Sequence, residues 1–148
     1  MTTDQITQPI DGETPPTNPS EYYKFMAQGL DESFADMKVM HANREKMEKH
    51  PVGTPEHHIA GAKMAAAIAN HSRGMASEYA SKGDSDNHQR HTEIMKRANV
   101  AALDHLSKFH FSKANQHAEN GRISDAIVSQ LRGQEHAEER DKLQSNIR

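Results

Sequence analysis

Residues 54–86 read TPEHHIAGAKMAAAIANHSRGMASEYASKGDSD, and this stretch decides the fold class. Thr54 offers a capping hydroxyl, Pro55 stands where the first helical turn has a spare N–H, and Glu56 sets an acid at the positive end of the helix dipole. Gly61, Ala62, Ala65, Ala69, Ser72, Ala76 and Ala80 then recur at spacings of three and four, bordered by Ile68, Met75 and Tyr79. That is the period of one broad helix face. Gly83 suits the left-handed residue that follows a helix, and Asp84, Ser85 and Asp86 offer the next cap. The stretch predicts a helix over 55–82 that turns tightly into a second one. Its flat small-residue face lets a neighbouring backbone come close.

The second helix is expected over 85–118. Ala98, Ala101 and Ala102 lie between Ile94, Met95 and Phe109, making a natural partner for the small-residue face. A further row of Leu103, Leu106, His110 and Ala114, with Phe111 beside it, is turned away from the first, and a helix apolar on two sides needs two partners. Asn120–Gly121 is a turn signal. A helix over 123–142 follows, with Ile123, Ile127, Leu131 and Ala137 as its apolar stripe. After Ala137 charge dominates, and fraying is expected. Before Thr54, residues 20–50 read as helical: Ser20 and Glu21 open the region, and Tyr23, Met26, Leu30, Phe34, Met37, His41 and Met47 keep a rough helical spacing. Gly29–Leu30–Asp31 offers a break with Asp31 as a second cap, and Pro51 ends the region at His50. Residues 1–19 hold Pro9, Pro15, Pro16 and Pro19 and predict an extended or disordered arm. Ile6 and Ile10 are its aliphatic residues. No strand pattern appears. The predicted fold is all-α: three or four antiparallel helices in one domain, residues 20–148, behind that arm.

Leu, Ile, Val and Phe together number 21 of 148 residues, while Ala numbers 18 and Met 8. Ala favours helix yet buries little area. The formal net charge of −3 does not force the chain open. Such a chain forms helices readily around a thin core, and association with a partner is the usual remedy. With no Cys, disulfides and thiolate metal sites are excluded. Residues 1–20 carry neither the basic nor the apolar region of a secretory signal, and no run approaches a membrane span. No segment is basic enough for a nucleic-acid footprint. The expected setting is the cytoplasm or the inside of a virus or phage particle, with no membrane or nucleic-acid partner.

The 11 His are the most unusual feature. His57 and His71, His91 and His105, and His110 and His117 are spaced to share helix faces. The best local metal cluster is His88 and His91 with Asp84 or Asp86, at a helix start. There is no His-Glu-x-x-His and no Glu-x-x-His, so the zinc and di-iron helix patterns are missing. Asp84-x-Asp86-x-His88 starts like a calcium loop, but Gln89 stands at its glycine position and Met95 at its bidentate Glu position. Gly83–Asp84–Ser85 is a cap between helices rather than a hydrolase nucleophile block. No phosphate loop, dinucleotide fingerprint or triad spacing occurs. Neither a catalytic residue nor a cofactor is expected, and the chain reads as a non-enzyme.

From His57 to about Ala118, with Ala and His recurring at helical spacing and Gly83–Asp84 between two helices, the chain resembles small Ala/His-rich helical proteins of bacteria and phages; that resemblance implies no known activity. Lys113–Ala114 through Gly121–Arg122 and Asp125–Ala126–Ile127 is similar to one helix-turn-helix step of tetratricopeptide repeats, with no second copy. A cysteine-free chain with an arm and adhesive helices is also similar to phage or virus particle components, which implies subunit-to-subunit contacts. The leading expectation is a structural or assembly protein that self-associates. Ile6 and Ile10 would form a latch, and Ala62, Ala65, Ala69, Ala76, Leu103 and Leu106 a protein interface. The alternatives are a small monomeric adaptor or inhibitor of a foreign protein, and a His-based metal-binding or pH-responsive protein.

Overall fold

The computed structural model describes residues 15–28 and 33–147. Ile6 and Ile10 of the arm, and Leu30 and the Asp31 cap, lie outside the described residues. Among the described residues there are five helices and no strand: α1 (Pro19–Gln28), α2 (Ser33–Lys49), α3 (Pro55–Ser81), α4 (Ser85–Glu119) and α5 (Ile123–Ser145). The fold is all-α, and residues 20–50 form two helices, one ending at Gln28 and the next starting at Ser33, on either side of the break that the sequence offered.

The turns form where local chemistry demands them. Thr54 accepts a hydrogen bond from His57 N–H at 3.3 Å, and Asp84 accepts one from Asn87 N–H at 3.1 Å. Both are N-caps that satisfy a donor the helix cannot. After α3, Gly83 takes φ +75°, and Asp84 N–H donates back to Tyr79 O at 2.9 Å. After α4, Gly121 also takes φ +75°, and Arg122 N–H donates to His117 O at 2.8 Å. Each is a Schellman closure that needs a residue free to enter the left-handed region. Such short links fold sequential helices back on one another.

α3 packs against α2 on one side and α4 on the other, and α5 packs against α4. α1 touches α5 and drives Tyr22 and Met26 into the core. That core is Tyr22, Met26, Ala62, Ala65, Ala66, Ala69, Ala98, Ala102, Leu103 and Leu106, with Phe25, Ile59, Ile68, Met95 and Leu143 at its margin. Most of it is alanine, so it is as thin as the composition implies. As expected, α4 has two partners, α3 and α5, but the two rows are not separate: Ala101 is exposed, and Ala98, Ala102, Leu103 and Leu106 share one core. Ala98 and Ala102 are buried, and Leu103 and Leu106 lie in the same core as Tyr22 of α1, while Ser107 bonds to α5. No helix among the described residues is long and apolar enough to cross a membrane.

Three expectations need correction. Ala62, Ala65, Ala69, Ala76, Leu103 and Leu106 are all 5% exposed or less. Their side chains are already covered within one chain and offer no surface to another. The helix after Gly121 does not end in the early 140s but reaches Ser145. Arg140 bonds to Asp104 of α4 at 2.7 Å, and Leu143 packs at the core margin. Both tie down a segment whose charge alone would let it fray. Finally, the stripe Ile123, Ile127 and Leu131 faces outward, at 59, 57 and 54% exposure. The α5 residues buried instead are Ser129, Gly133 and His136.

Candidate functional site

The reason for that inversion lies on α4. Phe111 projects toward α5, and a Cβ on Gly133 would lie 2.7 Å from the Phe111 ring. Only glycine lets the helices approach there. The same closeness brings Ser107 Oγ within 2.9 Å of Gly133 O, to which it donates. One turn further along α5, His136 stacks on His110 of α4, ring centroids 5.0 Å apart and planes 28° apart. His110 Nε2–H donates to Pro16 O at 2.8 Å, and His136 Nδ1–H donates to Arg132 O at 2.7 Å. His136 is wholly buried, and its Nε2 has no hydrogen-bond partner among the described residues. A proton there would put a charge where nothing receives it. Burial pushes His110 down to about 4 and lowers His136 as well.

A second histidine cluster joins α2, α3 and α4. His57 Nδ1 lies 2.9 Å from Met47 O and 3.1 Å from His50 O, so it donates to the end of α2. Gly53 N–H donates to His58 Nε2 at 3.2 Å. That fixes the His58 hydrogen on Nδ1, which donates to His105 Nδ1 at 3.1 Å. The His105 ring in turn lies over Gly61, where a Cβ would come within 2.6 Å of it. Burial, with His105 and His57 nearby, pushes His58 down to about 4, and burial lowers His105. His58, His105, His110 and His136 are therefore neutral imidazoles that join helices.

No metal site was expected, and the histidines of the candidate cluster face other groups. His88 Nδ1 donates to Ala76 O at 2.8 Å, and His91 stacks on Tyr79 with centroids 5.4 Å apart. Asp84 is taken by Asn87, whose hydrogen bonds hold its carboxyl below the usual range, and Asp86 is exposed. Among the described residues no group of three His, Asp or Glu is placed to hold a metal ion. The histidine contacts formed between helices, His58 with His105 and His110 with His136, are not the same-helix pairs that spacing suggested. Spacing within one helix reports a shared face; it carries no record of what stands opposite.

The outward row of α5 borders a groove of about 360 Å³, lined by Ala114, Asn115 and Ala118 of α4 and by Ile123, Ile127 and Leu131 of α5. Val128 adds a fourth exposed aliphatic side chain on the same helix. None of the groove's lining residues is charged. The sequence carried a signal for this arrangement. Ser129, Gly133, His136 and Arg140 also recur at helical spacing, and an interior helical glycine marks close backbone approach. Compared with protein-family models, curated proteins and solved structures, the chain matches none.

Proposed function

We propose that this chain is a non-enzymatic structural protein that works by helix-mediated contact with other protein chains, copies of itself first. The observation that carries this reading is the inverted polarity of α5. Its small and polar residues Ser129, Gly133 and His136 face the chain's own core, and Ile123, Ile127, Val128 and Leu131 face solvent, while Leu143 near its end packs at the core margin. In a chain with 26% charged residues, an uncharged groove beside three half-exposed aliphatic side chains has the composition of an interface centre. A two-fold contact would lay the same row against itself, Ile127 near the axis and Ile123 opposite Leu131 of the second copy, without bringing a charge into the middle. The thin alanine core supports the same reading, because association supplies burial that one chain lacks. A component of a larger particle is the form of this function that a cysteine-free helical chain suits best.

The test is absolute mass by light scattering on a sizing column. The wild-type chain should elute as a discrete multiple of 16.6 kDa. The double variant Ile127→Asp, Leu131→Asp should elute at the mass of one chain with unchanged helical circular dichroism. A wild-type monomer across the micromolar range overturns self-assembly and directs the search to a foreign partner for the same row.

A further inference from the structure

The His110–His136 pair lies beneath the segment that leads into the bundle. Pro16 is buried, and its carbonyl accepts a hydrogen bond from His110 Nε2–H. Beyond it, α1 is held by burial of Tyr22 and Met26 in the core and by a few directed contacts: Tyr22 OH to Asn99 Oδ1 at 2.6 Å, Tyr23 OH to Glu139 at 2.8 Å, and Arg73 to Met26 O at 3.2 Å. A helix of ten residues has little stability of its own, whereas α4 and α5 hold each other along much of their length. Hydrating the two rings costs least if the cover lifts and the hairpin stays.

We propose that the stacked pair His110 and His136 is an acid-released latch: while both rings are neutral they hold residues 15–28 on the α4–α5 hairpin, and when they gain protons that segment lifts off with the hairpin still helical. The rings are 5.0 Å apart, so two charges there repel. The charged groups facing the pair are Glu21 of α1, and Arg132 and Glu135 of α5. Arg132 opposes protonation. Glu21 favours it, but its carboxylate already accepts from the Thr17 hydroxyl and, at 3.5 Å, from Thr17 N–H. Burial outweighs it, and the rings stay neutral until the cover moves. Lifting the segment takes Tyr22 and Met26 out of the core they share with Leu103 and Leu106 of α4, and leaves those two less covered. Acid thus exposes an apolar face on α4 that is distinct from the outward row of α5.

The chain has no cysteine, so one can be placed at will. Met26→Cys puts a thiol at a position 4% exposed, and Lys24→Cys puts one at an exposed position on the same helix as a control. The reaction rate of each full-length variant with a dithiodipyridine is measured from pH 7.5 to 4.5, together with helical circular dichroism. The expected result is a rise of at least tenfold in the ratio of the Met26→Cys rate to the Lys24→Cys rate as pH falls. The helical signal stays within a tenth of its neutral value. Adding His110→Gln and His136→Gln, whose amides remain neutral, should flatten that ratio. A flat ratio in the histidine-containing chain, an unchanged rise in the glutamine variant, or a rise only where helix is lost overturns the latch. Should the glutamine variant lose helix at pH 7.5, ring-proton NMR of the wild-type chain decides. Titration of His110 and His136 must share its midpoint with thiol exposure, and separate midpoints overturn the proposal.

Discussion

Three glycines inside helices differ in what surrounds them, and that difference fixes the sign of a substitution. Gly74 has nothing within 4 Å of a built Cβ, so Gly74→Ala should stabilise the chain by about 0.5–1 kcal/mol through helix propensity alone. Gly61→Ala meets the His105 ring at 2.6 Å and should destabilise by about 1–3 kcal/mol despite that propensity gain. Removing the ring should reverse the sign: in a His105→Ala background, Gly61→Ala becomes neutral or stabilising. Urea unfolding of the four chains of this cycle checks it, and a penalty that persists without the ring would refute the steric account. His58 makes a matching prediction about pH. Its folded value, near 4, lies below the unfolded reference near 6.5. The unfolded chain therefore takes up the proton first. The stability held by the neutral ring is full above pH 6.5 and declines as pH falls toward 4, by at most about 1.4 kcal/mol per pH unit. His58→Gln should show a shallower decline than wild type over that window. Equal slopes would mean that the ring charges freely in the folded state.

At the scale of elements, what was legible depended on how local its cause was. Thr54, Asp84, Gly83 and Gly121 act on backbone groups within a few residues, and each bounds its helix where the sequence placed it. Thr54→Ala removes the acceptor for His57 N–H and should cost about 1 kcal/mol, measured by chemical denaturation. The facing of α5 has no local cause. Ile123, Ile127 and Leu131 make one helical row, and Ser129, Gly133 and His136 make another. Which row turns inward depends on Phe111 and Ser107 across the interface. The same limit hid the histidine clusters, since His58 and His105 meet only because α3 and α4 fold back on each other. The small-residue face was legible as a contact surface, with the following helix as its natural partner; spacing left open only whether a second chain also packs there. The face was filled by α4 of the same molecule. Gly133→Leu tests the facing directly. It drives a large side chain into Phe111 and should destabilise by about 3 kcal/mol or more, while Ile127→Ser on the outward face should change the stability of a dilute monomer by less than about 0.5 kcal/mol. Comparable losses at the two positions would place both rows inside.

For the molecule as a whole, a core built mostly of alanine sets the terms of stability. Among the described residues the largest fully buried side chains are Tyr22, Leu103, Leu106, His136 and Ser107, of which only Leu103 and Leu106 are aliphatic. Little apolar area is available to offset the ordering of a long chain. Meanwhile Ile123, Ile127 and Leu131 keep more than half their surface in water. Burying them in a second copy would stabilise the folded state and leave the unfolded one unchanged, so folding and association become one linked equilibrium. Linkage makes the consequence quantitative: a tenfold rise in chain concentration should raise the apparent stability of a self-associating form by up to about 1.4 kcal/mol, which appears as an upward shift of the melting temperature by a few degrees. The Ile127→Asp, Leu131→Asp chain should melt at one temperature at every concentration, below the wild-type chain at high concentration and level with it when both are dilute. If the wild-type melting temperature does not move with concentration, the outward row is not covered by a second copy, and the thin core must suffice alone.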